Sequence, residues 1–233
     1  MTSSLRADLI RRLTAAGDPD RATGQQAYMK SALPYHGVRV PEVRRIAKAV
    51  ASDHPFADRE ECTRSVLDIW RRATHREQRY AATEIAFLMP YRKWLDGRAL
   101  PMIEEMIVTG AWWDHVDALA SRHMGTMLER DPARIRPAMW EWATDDLTRD
   151  GALWRRRTAI LCQLRSRDET DLELLFHVIE ASIDSDEFFL RKAIGWALRE
   201  HAKVDAETVL GFVAEHRDQM STLSRREALK HVG

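Results

Sequence analysis

The sequence predicts an all-α protein built from stacked helical repeats. Ala, Leu, Arg and Glu dominate a composition sparse in Gly and Pro, which favours helix. Apolar residues recur at helical spacing, and the β-branched residues never gather into alternating runs, so no stretch qualifies as a strand. A short motif also returns at a nearly constant interval, which is how repeat proteins betray themselves. A chain of 233 residues is long enough to bury a real core, and residues 1–233 read as a single helical domain.

The elements follow in order. Leu5 to Ala15 and Gln25 to Ala32 form two amphipathic helices, the second carrying Tyr28, Met29 and Lys30, and the loop from Leu33 to Val38 follows. Pro41 sits where a helix's first turn tolerates proline, with Val43, Ile46 and Val50 repeating behind it. Helices are predicted from Arg59 to Arg72, Arg76 to Met89, Leu100 to Val108 and Trp113 to Glu129, and from Pro132 to Ala143 behind an N-cap at Asp131. Leu153 to Leu164, Asp171 to Ile183, Glu187 to Ala202, Ala206 to Glu215 and Ser224 to His231 complete the set, with short connections between them.

The repeat is carried by Arg157-Thr158-Ala159-Ile160, Arg191-Lys192-Ala193-Ile194 and Arg226-Glu227-Ala228-Leu229, at intervals of 34 and 35 residues. A weaker copy, Arg79-Tyr80-Ala81-Ala82, lies two periods earlier. This period fits paired-helix repeats of the HEAT or armadillo kind, in which one helix of each pair lines a concave surface. Stacking would set Arg79, Arg157, Arg191 and Arg226 in a row, a basic ladder on the concave face suited to phosphate.

Lys+Arg and Asp+Glu are both 36, so net charge implies neither a nucleic-acid nor a membrane partner and distribution must decide. The acids Asp145-Asp146, Asp168-Glu169 and Asp184 to Glu187 fall outside the ladder, leaving it positive. Cys62 and Cys162 lie on apolar helical stretches in no metal-type spacing, and are expected as buried free thiols. Asp114, His115, Asp117 and His123 lack metal-ligand spacing, so neither metal nor cofactor is expected. No apolar signal core or membrane-length run occurs, which predicts a cytoplasmic protein with no membrane partner; a monomer is expected.

The stretch from Gly110 to Asp117, with Trp112 and Trp113, stands apart. If it opens a helix, Trp113 and Asp117 share a face four residues apart, a π surface beside a carboxylate. Asp117 lies 38 residues after Arg79 and 40 before Arg157, and so occupies the missing rung of the ladder. A carboxylate there repels phosphate, which points to chemistry on a developing positive charge. The alternative is a core tryptophan beside a solvated acid. In a second aromatic cluster, Phe188-Phe189 to Trp196, Phe189 and Trp196 share a face. Gly195 inside that helix costs about 1 kcal/mol relative to Ala, which suggests a close approach by another backbone or a ligand.

Together with Tyr28-Met29-Lys30, Leu153 to Leu161, Lys192 to Glu200 and Leu223 to His231, these stretches resemble the AlkD-type DNA alkylation repair proteins, glycosylases built from HEAT-like repeats. The resemblance covers nearly the whole chain in order, with an extra residue or so near Thr148-Arg149-Asp150. It implies Trp113, Asp117 and Trp196 as catalytic residues, and Arg157 and Tyr28 as DNA contacts. Lys30, Arg191, Lys192, Ser224, Arg225, Arg226 and Lys230 complete the candidate contacts with DNA phosphates. The implied activity is hydrolysis of the N-glycosidic bond of cationic N3- or N7-alkylated purines in double-stranded DNA. The rival reading is a HEAT-like module that binds damaged or branched DNA, or a protein partner, without catalysis.

Overall fold

The computed structural model describes residues 2–231, with side chains from residue 4 onward. The described residues form helices joined by turns and loops, with no strand among them. Two compact units divide the chain, residues 1–95 and 96–233.

In the first unit, α1 (Thr2–Ala15) buries Leu5, Leu9 and Leu13, one turn apart on a single stripe. The next helix, α2 (Pro19–Met29), starts earlier than Gln25 because Asp18 caps it through the Arg21 amide and Pro19 fits the first turn. Then come α3 (Val40–Asp53), α4 (Arg59–Arg71), α5 (Arg76–Phe87) and the single turn α6 (Met89–Arg92), which the sequence reading missed. α1 packs on α3 and α4, and α5 lies against both of those. The loop before α3 is tied down by Glu77, whose fully buried carboxylate accepts from the amides of His36, Gly37 and Val38 at 2.9–3.0 Å. Three charge-assisted bonds of this kind compensate the cost of burying the acid.

The second unit opens with the 3-10 turn Gly97–Ala99 and α7 (Leu100–Gly110). α8 (Trp113–Ala118) runs into a π-helical stretch, Leu119–Met124, and then into α9 (Gly125–Arg130), so the long helix expected from Trp113 to Glu129 exists with an interruption at its centre. A Cβ on Gly125 would lie 2.7 Å from the Cys162 carbonyl oxygen, so only glycine permits this contact. α10 (Pro132–Ala143), α11 (Ala152–Leu161), α12 (Leu172–Glu180), α13 (Phe188–His201), α14 (Ala206–Glu215) and α15 (Thr222–Ala228) follow. Asp131 occupies the N-cap position of α10, but its side chain makes no cap bond; it accepts from the Gly97 amide at 3.0 Å instead.

The repeat shows itself in the sequence separation of the contacts. Arg44 pairs with Glu84, Arg136 with Asp171, and the Ser224 hydroxyl with the Arg191 carbonyl, at separations of 40, 35 and 33 residues. In these three pairs an element meets another about one repeat away, as stacked helical repeats require. Within the second unit α10 packs on α11, α11 on α13, and α13 most extensively on α15. Cys62 and Cys162 are buried free thiols, and burial pushes both up to about 12, so neither is a nucleophile near neutral pH.

Candidate active site

The site is assembled where α8 begins. α7 stops at Gly110, and Ala111 takes a left-handed conformation with φ of 43°, which turns the chain out of the helix. Trp112 is extended, and α8 starts at Trp113, which places Trp113 and Asp117 one turn apart on the same face as expected. Trp112 turns into an aromatic cluster, its ring 5.6 Å from Phe189 and 6.4 Å from Trp154. That cluster packs the start of α8 against α11 and α13, and Trp154 is buried in it.

Asp117 meets Arg157. The guanidinium grips the carboxylate with both prongs, Nε to Oδ1 at 2.8 Å and Nη2 to Oδ2 at 2.9 Å. Its remaining terminal nitrogen donates to the Phe189 carbonyl, and its carbon lies 5.8 Å from the centre of the Phe189 ring. Arg157 is only 4% exposed, whereas the Asp117 side chain is 16% exposed and open at one edge. Burial pushes the Asp117 carboxyl above its ordinary value, and the bonds from Arg157 pull in the opposite direction without cancelling the rise. The fork fixes the orientation of the carboxylate. Each carboxylate oxygen accepts one prong and retains a second acceptor position.

Trp113 and Trp196 are half-buried on α8 and α13. Among the described residues neither stacks on another aromatic ring or beneath a guanidinium. Gly195 is where it must be: a Cβ there would stand 2.5 Å from the Glu227 Cβ and 2.9 Å from the Ser224 carbonyl oxygen. The close approach expected at this glycine is therefore made by α15.

A family model for DNA alkylation repair enzymes matches residues 9–232. The chain belongs to the DNA alkylation repair enzyme family. Among solved structures, a predicted DNA alkylation repair enzyme from Enterococcus faecalis is similar at 25% identity with a TM-score of 0.81, covering 93% of this chain and 97% of that one. No curated protein matches the sequence. Membership gives the protein a role in the repair of alkylation damage, with DNA as its partner.

The basic ladder expected of this alkylation repair enzyme differs from a row of free cations. Arg157 is buried and engaged by Asp117, so the acid on the missing rung pairs with the next rung instead of interrupting a phosphate-binding face. Arg79 lies over the Trp70 ring at 4.8 Å. Arg191 donates to the Ser185 carbonyl at 2.7 Å and pairs with Asp186. Ser224 was expected at the DNA surface but is fully buried, its hydroxyl held by Ser221 and the Arg191 carbonyl, where it ties α15 to α13. Arg226 and Lys230 are exposed, and Arg225 is half-buried with a bond to the Arg217 carbonyl. In the first unit Tyr28 is 76% exposed at the end of α2, and Lys30 caps that helix in a left-handed conformation.

One residue of consequence was not foreseen. Glu227 accepts from Lys192 at 3.1 Å and Arg199 at 2.7 Å, and these two cations hold its carboxyl below the ordinary value. The sequence offered a faint signal, since Glu227 directly follows the Arg226 of the repeat motif. Among the described residues no group of His, Cys, Asp and Glu is placed to hold a metal ion, and no helix is long and apolar enough to cross a membrane.

Proposed function

We propose that the protein is a monofunctional DNA glycosylase that hydrolyses the N-glycosidic bond of cationic N3- and N7-alkylated purines in duplex DNA. The observation that carries this reading is the mostly buried Asp117 carboxylate, fixed by the fork of Arg157 on the same helix face as the unstacked ring of Trp113. Alkylation at N3 or N7 makes the purine a good leaving group without enzymatic protonation. What needs stabilising is the oxocarbenium-like sugar that forms as the bond breaks. Asp117 supplies a negative charge whose orientation is set before the reaction begins, and its free acceptor positions can align the attacking water. Arg157 acts here as a positioning residue rather than a phosphate contact. Trp113 and Trp196 offer π faces to the cationic nucleotide, a contact worth about 0.5–2 kcal/mol each.

Duplex DNA is held by phosphate contacts from Tyr28, Lys30, Arg225, Arg226 and Lys230, with Lys192 and Arg191 reached after exchange of their present partners. Such contacts position the duplex and carry no sequence information. The deciding experiment follows free base from duplexes containing N7-methylguanine or N3-methyladenine. Wild type releases base, while Asp117→Asn keeps duplex binding and loses release by about 100- to 1,000-fold, the range for removing one electrostatic stabiliser. Duplex binding by the wild type with no release would make it a binding module. Efficient excision of uncharged uracil would contradict the leaving-group argument.

A further inference from the structure

Trp113 and Asp117 belong to the site described above, and Ser121 follows Asp117 by the same four residues that separate those two. It lies in the π-helical stretch Leu119–Met124, and its half-buried hydroxyl donates to the Asp117 carbonyl at 2.7 Å. The carbonyl carbon and Cβ of Asp117 share one Cα. Restraining the carbonyl therefore restrains the direction in which the side chain leaves the backbone.

Bonds of this kind occur elsewhere in the chain. Thr109 donates to the Glu105 carbonyl at 2.6 Å in α7, and Thr158 to the Trp154 carbonyl at 2.8 Å in α11. There the bond supplements an unbroken α-helix. At Ser121 the backbone is passing from turns closed four residues apart to wider ones closed five apart, as in the bond from the Gly125 amide to the Ala120 carbonyl. The last two carbonyls of α8 are each met by a side chain from the π-helical side of the join. Ser121 meets that of Asp117, and the buried His123 places its Nδ1 3.4 Å from that of Ala118. A carbonyl can only accept, so the His123 Nδ1 carries a proton.

Asp117 is thus held twice, its main chain by Ser121 and its carboxylate by both prongs of Arg157. A two-pronged pair of planar groups tolerates little displacement. We propose that Ser121 is a positioning residue for Asp117, its hydroxyl fixing the main chain from which the carboxylate projects so that acid and fork meet in one orientation. This rests on the catalytic role proposed for Asp117, and adds to it a residue that acts on the acid rather than on the substrate.

The test compares wild type, Ser121→Ala, Ser121→Thr and Thr109→Ala in the full chain. The ¹⁵N–¹H signal of the Arg157 Nε reports the fork directly and needs no activity. Ser121→Ala is expected to shift or broaden that signal and to lower single-turnover release of N7-methylguanine about 3- to 10-fold, the range open to one neutral hydrogen bond, with duplex affinity unchanged. Ser121→Thr keeps the hydroxyl and restores both readouts. Thr109→Ala removes the same kind of bond from α7 and moves neither. An Arg157 signal or a release rate unchanged by Ser121→Ala, failure of Ser121→Thr to restore them, or an equal effect of Thr109→Ala would each overturn the assignment. Should the wild type release no base, the catalytic role of Asp117 falls, while the Arg157 signal still decides whether Ser121 positions it.

Discussion

Arg157 and Asp117, 40 residues apart in sequence, are joined by two parallel bonds of 2.8 and 2.9 Å, and the arginine is the more deeply buried of the two. The catalytic candidate therefore borrows its orientation from the neighbouring repeat. Removing the fork tests this. Arg157→Ala leaves a mostly buried carboxylate without its partner and is expected to cost about 3–5 kcal/mol of stability, read from denaturant unfolding. Arg157→Lys keeps the charge but loses one prong, so base release should fall while duplex affinity changes little. Loss of affinity together with unchanged release would return Arg157 to the role of a phosphate contact.

The role proposed for Asp117 predicts an acid limit to activity. Its carboxyl is raised above the ordinary 3.8 by burial, so the native state holds this proton more tightly than the unfolded chain does. Stability from this group is present below the unfolded value and is lost as pH rises through the folded one. Activity is expected to run the other way, because the stabiliser proposed above is the ionised form. Single-turnover release measured against pH should decline on acidification with a midpoint above 3.8, and Asp117→Asn should abolish that limb. A flat acid profile in the wild type would separate Asp117 from the chemistry.

Glu227 restrains the cations around it. Its carboxylate occupies Lys192 and Arg199, so Glu227→Gln should release positive charge towards bound DNA. Duplex affinity at low salt is expected to rise several-fold, and the slope of log affinity against log salt to steepen by about one. An unchanged slope in a salt titration would place Lys192 away from the DNA.

Gly195 has no room for a methyl group. Gly195→Ala pushes on the Glu227 Cβ and on the backbone of α15, and overpacking of this kind costs about 1–3 kcal/mol in unfolding experiments. Because α15 carries Arg225 and Arg226, duplex affinity should fall with it.

Much of the fold was legible because each amphipathic stretch announces its helix. Leu5, Leu9 and Leu13 or Val43, Ile46 and Val50 leave little choice of which face is buried. The start of α2 was missed because Asp18-Pro19 precedes any apolar periodicity, although it is a good cap signal. The site was legible as positions but not as contacts. Trp113 and Asp117 stood out locally, and the repeat register set Asp117 in line with Arg157, yet period alone cannot say whether aligned residues point outward or clasp one another. Depth decided that: Arg157 lies under the ring of Phe189, and an arginine's long stem allows burial that its charge does not advertise. Ser224 misled for the converse reason, since a small hydroxyl ties one helix to the next as readily as it meets a phosphate.

The π-helical stretch Leu119–Met124 has a consequence for how this helix is aimed. Its wider turns take up about one extra residue, so α9 is out of phase with α8 by roughly 100° compared with an unbroken α-helix. The trailing half is anchored where Gly125 meets the Cys162 carbonyl, while the leading half presents Asp117 to Arg157. Residue faces read across the join in simple helical register are misassigned. The extra residue works as a spacer, and aim and anchorage belong to separate halves of a single rod.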